Sequence, residues 1–363
     1  TIAFTGHVNN GDISCNVTLD NPGNAKGNGW NLVGNPYPSP IDLDKLPYDN
    51  ANLNINKSVS IFISTAMYKG YYGYYNAKTH LAINGGTRYL PALHAFFVQC
   101  NNAAGGTLTF KNSMRANIIN PNLYKYTETP NYPYIKLSAK LLNEDAALDE
   151  TIIMFNDSAS LNFDPEYDIF KLYNTDPEIP NLYSISNNNK LALNCLNNTY
   201  LKNNFEIPLG LEVQKADIYV IKADAITNLP PELSVILVDN KLNKCQDLQT
   251  NPTYIFPAYP STTPDKNRFT LKIGQLQTHI DESSYNQTLV SIWQEENIIK
   301  VKIIGQKSYN ASLEIIDALG RLIIKTYLPS DGTYNISNSL KTGNYIVRYV
   351  NENYIENFKL FVY

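Results

Sequence analysis

Closely spaced turn signals divide this chain into short apolar runs, and their spacing limits the folds that the chain can adopt. Runs such as Val59–Ile63 and Phe96–Gln99 are bounded by turn-forming groups such as Gly34-Asn35-Pro36 and Gly85-Gly86. Strands at this spacing, without helical periodicity between them, are typical of antiparallel sandwiches. The composition agrees, because 27 Tyr and 13 Phe suit half-buried strands and 20 Pro and 18 Gly suit turns. We therefore predict an all-β chain.

A chain of 363 residues is too long for one ordinary hydrophobic core, so several domains are expected. The proline-containing segment Asn117–Asn131 and the polar segment Gln275–Gln287 mark two breaks. We predict tandem antiparallel β-sandwiches, jelly-roll-like in character, followed by a small immunoglobulin-like sandwich, with limits at 1–125, 126–284 and 285–363. The strands predicted for the second domain are Tyr134–Leu142, Thr151–Phe155, Leu191–Cys195, Phe205–Val213, Ala216–Lys222, Ser234–Asp239, Thr253–Phe256 and Arg268–Ile273.

The charge balance excludes two classes of partner. Charged residues make up 17% of the chain and the formal net charge is -4, so there is no basic footprint for nucleic acid or anionic lipid. The apolar runs are shorter than the roughly 18 residues of a membrane-spanning helix, so no membrane span is predicted. The first residues lack the charged and apolar segments of a signal peptide. We therefore expect the chain to begin inside a longer precursor, or after processing.

No reaction motif is recognisable in the sequence. It lacks the GxSxG elbow, the HExxH zinc helix, the phosphate-binding loop and the dinucleotide fingerprint. His94 has no recognisable nucleophile or carboxylate partner, so a structural role at the start of a strand is favoured. We predict that the chain is not an enzyme and carries no cofactor.

Two groups of acidic residues stand out in the sequence, because a glycosidase needs two carboxylates across a cleft. The segment Phe163–Lys171 contains Asp164, Glu166 and Asp168, and clustered carboxylates can bind calcium. The alternative, which we favour, is a turn in which Asp168 pairs with Lys171. The other group, which we predict to lie in a solvated loop, is Asp145, Asp149 and Glu150.

The segment Tyr68–Asn76 is unusually rich in tyrosine. Exposed aromatic rings can stack on sugar rings, and the tyrosine hydroxyl can form hydrogen bonds. The residues of this candidate glycan platform are Tyr71, Tyr72, Tyr74 and Tyr75. The alternative, which we favour, is a hairpin in which alternate tyrosines pack inward.

The four cysteines form an even set without the spacing of a zinc site. They allow three pairings. We expect Cys15–Cys100 and Cys195–Cys245 if disulfides form, because each pair then stays inside one predicted domain. The alternative is four reduced, half-buried thiols.

The last block, Thr288–Tyr363, has the clearest pattern. The runs SIWQEENIIKVKII and LEIIDALGRLIIKTYL each indicate a strand, a turn and a second strand. Gly320 falls at the turn of the second unit, where glycine can adopt the left-handed conformation without steric cost. About seven strands in roughly 80 residues fit a small immunoglobulin-like sandwich.

Three segments of this block resemble a known family. They are LEIIDALGRL at 313–322, SLKTGNYIVRY at 339–349 and NFKLFV at 357–362. In order and spacing they resemble the hallmark segments of the type A C-terminal sorting domain, which is found on cargo proteins of the Bacteroidetes type IX secretion system. The residues that carry the family pattern are Asp317, Gly320, Arg321, Leu340, Gly343, Tyr345 and Lys359.

The resemblance implies a partner and a location. The partner is the type IX secretion translocon, and the location is the cell surface or the medium, reached by export across the outer membrane. Upstream segments such as Gly29–Pro38 resemble accessory sandwiches of large surface proteins from the same bacteria. Ser158 is a candidate O-glycosylation site, since Asp157-Ser158-Ala159 fits the three-residue pattern of such exports.

Together these observations predict a non-enzymatic surface protein that serves adhesion or forms part of a structural assembly. If the sorting domain is retained, copies of the chain could associate through strand edges into a homopolymer. The alternative function is a carbohydrate-binding accessory region of a larger secreted enzyme, with surface glycans as the ligand.

Overall fold

The computed structural model describes residues 5–19, 29–48, 53–118, 131–142, 146–160, 162–261, 268–275, 288–295, 298–306, 310–337, 340–352 and 355–362. Within them, β-strands are accompanied by three short 3-10 turns at Leu43–Lys45, Asn112–Met114 and Asn198–Lys202. The predicted all-β fold class is confirmed. In this described part of the chain, no helix is long and apolar enough to cross a membrane.

The first region forms one five-stranded sheet and two small strand pairs. Its strands are β1 (Ile13–Val17), β2 (Trp30–Gly34), β3 (Ile41–Asp42), β4 (Ile55–Ala66), β5 (Lys69–Asn76), β6 (Leu81–Ile83), β7 (Tyr89–Leu90), β8 (Ala95–Cys100) and β9 (Gly106–Phe110). The large sheet has the order β2-β8-β4-β5-β6, and β1–β9 and β3–β7 pair separately. Alternate residues of the large sheet, such as Val59 and Ile61 of β4, face the core of this region.

The second region is built on a single large sheet. Its strands are β10 (Tyr134–Leu141), β11 (Leu148–Phe155), β12 (Ile169–Phe170), β13 (Asn181–Ser186), β14 (Asn189–Leu196), β15 (Phe205–Glu212), β16 (Asp217–Thr227), β17 (Ser234–Asp239), β18 (Lys244–Asp247), β19 (Thr253–Ala258) and β20 (Phe269–Gly274). The order is β18-β17-β20-β15-β13-β14-β11-β10-β16-β19, with β12 paired to β14. The pairing of β11 with β14 is parallel, whereas their other neighbours are antiparallel.

This sheet closes over its own core. Phe256 of β19, at one end of the strand order, packs on Phe269 of β20 near the other end, with ring centroids 4.8 Å apart. The buried pair of Arg268 and Asp239 lies beside these rings, with its nitrogen and oxygen 3.0 Å apart. One continuous sheet therefore supplies both layers of a sandwich, because its two ends face each other across a shared apolar interior.

The strand β5 joins the first region to the second. Tyr75 points into the core of the first region, whereas Tyr74 packs in a separate apolar cluster with Ile152 and Met154 of β11. Successive residues of a strand point to opposite faces, so both faces of β5 are covered. The two regions consequently share a buried junction.

The third region is a small sandwich of two sheets. Its strands are β21 (Leu289–Glu295), β22 (Ile298–Ile304), β23 (Ala311–Asp317), β24 (Leu322–Leu328), β25 (Gly332–Ser337), β26 (Gly343–Val350) and β27 (Ile355–Val362). The sheets have the orders β21-β22-β25 and β24-β23-β26-β27. Seven strands in the described residues of this block match the number that the sequence predicts. An ion pair between Lys302 and Asp217, at 2.5 Å, connects it to the second region.

The structure gives each predicted domain its own hydrophobic cluster, but the predicted limits between them stay predictions. The boundaries at 125/126 and 284/285 lie outside the described residues. The predicted strands of the second domain are confirmed with small changes in their ends, for example Ser234–Asp239 as β17.

Candidate functional site

The turn between β23 and β24 is organised by the carboxylate of Asp317. Its Oδ1 accepts hydrogen bonds from the backbone N–H groups of Leu319 and Arg321, each at 2.9 Å. Its Oδ2 accepts one from Arg321 Nε at 2.7 Å. These bonds, above all the one from the Arg321 backbone, hold the pKa of Asp317 below its usual value. Gly320 adopts a φ of 80°, so Asp317, Gly320 and Arg321 form one turn with an exposed guanidinium.

The other residues of the sorting-domain pattern lie on the strands that follow. Gly343 begins β26, and Tyr345, two residues further along the strand, packs against the core of the sandwich together with Leu340. The Tyr345 hydroxyl donates a hydrogen bond to the carbonyl oxygen of Lys341 at 2.9 Å. Lys359 is exposed on the edge strand β27. The pattern therefore combines packed residues with two exposed cations.

Next to this turn, the outer side of the four-stranded sheet carries exposed apolar side chains on both sides of a row of charged residues, Lys325, Glu314 and Arg348. We call this side the C-terminal face, and its exposed apolar members are Leu322, Ile323, Tyr327, Ile346, Ile355 and Phe361. Leu322, Ile316 and Ile346 are cross-strand neighbours on β24, β23 and β26. Lys359 lies opposite Ile346 on β27, so the apolar row ends in a cation of the sorting pattern.

The C-terminal face is unusual for this molecule. Sixteen large hydrophobic side chains are exposed in the described residues, and eight of them lie after residue 288. Leu322 is 54% exposed and Phe361 is 47% exposed, although both belong to regular strands. In soluble proteins, exposed large apolar side chains that are rimmed by charged residues commonly mark an interaction site.

Sequence reasoning found the turn but missed the exposed face. In β24 the residues Leu322, Ile323 and Ile324 are all apolar, so alternation does not show which of them face the core. In the structure Ile324 packs inward, and a register shift between Ile315 and Ile316 leaves the two residues before Ile324 exposed. The run of three apolar residues was the available signal.

The predicted glycan platform is wrong for two of its four tyrosines. Tyr74 and Tyr75 are fully buried. The Tyr75 hydroxyl donates a hydrogen bond to Asp44 Oδ1 at 2.7 Å, and the Tyr74 hydroxyl donates one to the carbonyl oxygen of Leu172 at 3.1 Å. Because both faces of β5 are covered, neither ring can contact a ligand from solvent.

The other two tyrosines are half-buried, and one of them belongs to an aromatic surface that the sequence did not predict. The ring of Tyr72 packs edge-on against Phe62 at 5.2 Å and Phe97 at 6.0 Å between centroids. Leu32 lies opposite Phe97 on β2 and is exposed. We call these four residues the aromatic surface. Tyr71 is not part of its ring contacts.

Two of the three carboxylates of the candidate calcium segment, those of Asp164 and Asp168, stabilise a turn. Asp168 is buried, and its oxygens accept the backbone N–H groups of Cys195 at 2.7 Å and Asp164 at 2.8 Å. Burial raises the pKa of Asp168 to about 7. Glu166 forms an ion pair with Lys57 at 3.1 Å. In the described residues, no three His, Cys, Asp or Glu side chains form a cluster that could hold a metal ion.

Two predictions about charged residues are wrong. Asp149 and Glu150 lie inside strand β11 and are buried, not in a solvated loop. Lys171 pairs with Asp149, not with Asp168. The physical reason is that β11 begins one residue before Asp149, so the acidic pair enters the sheet, whereas the loop prediction rested on charge alone. Asp145 lies outside the described residues.

The predicted disulfides are not formed, because Cys15, Cys100, Cys195 and Cys245 are all free thiols. Cys195 is buried at the junction of the first two regions, whereas Cys245 is exposed on the edge strand β18. The Cys100 Sγ donates a hydrogen bond to the carbonyl oxygen of Asn102 at 3.3 Å. Cys15 lies on β1 opposite Leu108. Membership of the same domain does not bring two thiols together, because the positions of their strands in the sheets decide whether they meet.

The candidate O-glycosylation residue, Ser158, lies in the turn after β11 and is exposed. Its backbone N–H donates a hydrogen bond to Asn156 Oδ1 at 2.8 Å. The hydroxyl is therefore placed at the surface, and its modification stays a prediction.

The fold and the exposed surfaces define an all-β protein of consecutive sandwiches. The chain belongs to the family described as "Domain of unknown function (DUF8693)", which matches residues 1–273. The match ends within β20, so it treats the first two regions as one unit. No curated protein matches the sequence.

One similar solved structure is named "Biofilm associated protein - BSP domain". It is 12% identical, with a TM-score of 0.19, and the similarity covers 97% of this chain. This chain spans 62% of the length of that structure.

Proposed function

We propose that the chain is a non-enzymatic protein of the bacterial cell surface, exported by the type IX secretion system through its last region, residues 285–363. The observation that carries the proposal is the position of the sorting-pattern turn beside the C-terminal face. A translocon that recognises a folded domain binds a surface on which residues distant in sequence lie close together. Arg321, Lys359 and the apolar row between them form such a surface.

The first two regions serve in this proposal as a scaffold for adhesion or for a structural assembly. Their ion pairs support it, because the buried pairs Lys171–Asp149 and Arg268–Asp239 link strands of the second region and the pair Lys57–Glu166 links that region to the first. The edge strands β24 and β27 offer unpaired backbone groups through which a second copy of the chain can associate.

The test is export of the full chain, preceded by a signal peptide, in a bacterium that has the type IX system. The variant Leu322→Ser/Ile346→Ser changes only exposed side chains of the C-terminal face. The matched control is Ile298→Ser, an exposed apolar residue on the other sheet of the same sandwich. Surface location is measured by protease accessibility on intact cells.

We expect the wild type and Ile298→Ser to reach the surface and the double variant to remain in the periplasm. A strain without the translocon should retain all three. Normal export of the double variant would remove the role of the C-terminal face, and normal export after deletion of 285–363 would refute the sorting function itself.

A second candidate function, binding of surface glycans, is favoured by the aromatic surface alone. Phe62, Tyr72 and Phe97 form a continuous set of rings that runs from the exposed Phe62 to the half-buried Tyr72 and Phe97, and Tyr72 also packs against the junction cluster. Sugar rings stack on such surfaces. Glycan-array binding that is lost in Tyr72→Ala and kept in Tyr327→Ala would support this function, whereas no binding by the folded wild type would exclude it for the glycans on the array.

A further inference from the structure

Among the ion pairs of the described residues, the most deeply buried one joins Lys171, directly after β12, to Asp149 of β11. Both side chains have 0% exposure. Lys171 Nζ contacts Asp149 Oδ2 directly. The ring of Tyr74, from the first region, lies with its centroid 5.8 Å from the same nitrogen. The amine and the carboxyl group are thus enclosed together at the junction, away from water.

Both oxygens of Asp149 accept further hydrogen bonds. The backbone N–H of Leu182 donates to Oδ2 at 2.7 Å. The side-chain amide of Asn84, which comes from the first region, donates to Oδ1 at 2.9 Å. Two fixed donors on one carboxyl group would also stabilise negative charge that develops on its oxygens during attack at the carbon.

Burial shifts both partners toward their neutral forms. It lowers the pKa of Lys171 and raises the pKa of Asp149, and in each case the loss of water outweighs the attraction of the partner. A neutral amine has a free electron pair, and a neutral carboxylic acid is a better electrophile than a carboxylate. Burial therefore shifts the pair toward the chemical states that amide formation requires.

We propose that Lys171 and Asp149 condense to form an intramolecular amide bond. The Lys171 Nζ attacks Asp149 Cγ to give a tetrahedral intermediate, whose oxygens are held by the Leu182 N–H and the Asn84 amide. The Nζ–Cγ bond forms and one Cγ–O bond breaks. A proton from the nitrogen and the acid proton leave with that oxygen as one molecule of water, so no oxidant, reductant or other co-reactant is needed.

The other ion pairs of the described residues lack this combination. In the Lys190–Glu212 pair both side chains are about a quarter exposed, so water can enter. In the Arg268–Asp239 pair the nitrogen partner is a guanidinium, which is a poor nucleophile. This difference supplies the matched control for the experiment.

A bond between positions 149 and 171 would tie β11 to the segment that precedes β13. It would close the intervening loop and fix the site on which Asn84 of the first region docks. Outside the cell, a protein that unfolds often does not refold. Such a bond would keep the junction between the first two regions closed under those conditions.

The experiment is intact-mass measurement of the purified full chain under denaturing conditions, followed by proteolysis and fragmentation of the peptides. We expect the wild type to be lighter than its sequence by one water and to yield a branched peptide that joins Lys171 to Asp149. Lys171→Met should have the full mass of its sequence. The control Lys190→Met should keep the loss of one water.

A folded wild type with the full mass of its sequence and no branched peptide would overturn the proposal. A loss of water that persists in Lys171→Met would do the same, because it would arise from a cyclised aspartate elsewhere. If Lys171→Met fails to fold, the branched peptide of the wild type decides the question. None of these outcomes depends on export.

Discussion

Two β-sheet faces of this protein differ in whether another part of the chain covers them. At the junction of the first two regions, the second face of β5 is covered, so Tyr74 is buried and Asn84 reaches the carboxylate of Asp149. On the C-terminal sandwich, the outer side of β24 and β27 is left uncovered, with Leu322 and Phe361 exposed. Both surfaces are apolar, but only the junction contains buried polar contacts.

This difference explains how each of the two faces selects the partner that covers it. Buried hydrogen bonds and ion pairs must be matched by a partner in one position, so the junction is fixed within the chain. An exposed apolar face has no such requirement and remains available to a partner outside the chain. The same kind of strand residue therefore serves internal docking in one place and external recognition in the other.

The largest expected effect on stability comes from a substitution at the junction of the first two regions. Lys171→Met removes the buried partner of the Asp149 carboxyl and, with it, the proposed amide cross-link, and we expect the free energy of unfolding to fall by about 3–5 kcal/mol. Chemical denaturation of the variant and the wild type measures the loss. Lys190→Met, in a partly exposed pair, should cost less than about 1 kcal/mol. Equal losses for the two variants would contradict the prediction that the buried pair contributes more to stability than the partly exposed one.

The next largest effect is the difference in stability cost between a buried and an exposed side chain of the C-terminal sandwich. Ile315→Ala removes a buried side chain and should lower the free energy of unfolding of the sandwich by about 2–4 kcal/mol. Ile346→Ala removes an exposed one and should change it by about 0.5 kcal/mol or less. Thermal unfolding of both variants tests this difference. A cost of similar size for Ile346→Ala would show that the C-terminal face is covered in solution.

The third effect is the pH dependence of the junction. The pKa of Asp168 is raised to about 7 by burial, so its neutral form is favoured in the folded state. In the unfolded chain the pKa of Asp168 is about 4. The stabilisation from its higher pKa in the folded protein is therefore fully present below about pH 4 and is lost as the pH rises through about 7. Lowering the pH from about 8 to about 5 should therefore add on the order of 2–3 kcal/mol from this group.

Melting curves across this pH range measure that effect, with Asp168→Asn as the variant that cannot titrate. The pH dependence of the variant should be smaller than that of the wild type. An unchanged pH dependence would assign the titration to another group.

The smallest expected effect concerns the turn at the C-terminal face. Gly320 has a φ of 80°, and alanine there should cost about 1 kcal/mol because its side chain disfavours the left-handed region. A Cβ at this position meets no atom within 4 Å, so the cost is conformational and not steric. Thermal unfolding of Gly320→Ala checks the size. A loss of several kcal/mol would show that the turn has contacts beyond the backbone.

Much of the fold could be predicted from local pattern. The seven strands after residue 288 and the turn at Gly320 follow from alternation and from the conformational freedom of glycine. The strand Ser234–Asp239 was predicted at its observed limits. These features depend on neighbours in sequence, which is why a single sequence reveals them.

The candidate sites were predicted less well, because they depend on which surfaces meet. Tyr74 and Tyr75 have the residue type of a sugar platform, but the second region covers one and the core of the first region holds the other. The partner of Lys171 could not be predicted either, since Asp149 is brought to it by sheet pairing. Charge and spacing alone suggested Asp168.

The sequence by itself determined the all-β class, the positions of most strands and the turn that organises the sorting pattern. These depend on backbone preferences and on the period of two along a strand. Only the tertiary structure decided which strand faces are covered, since covering depends on segments far apart in the chain. For that reason the buried pair of Lys171 and Asp149 and the exposed C-terminal face became visible only when the sheets were assembled.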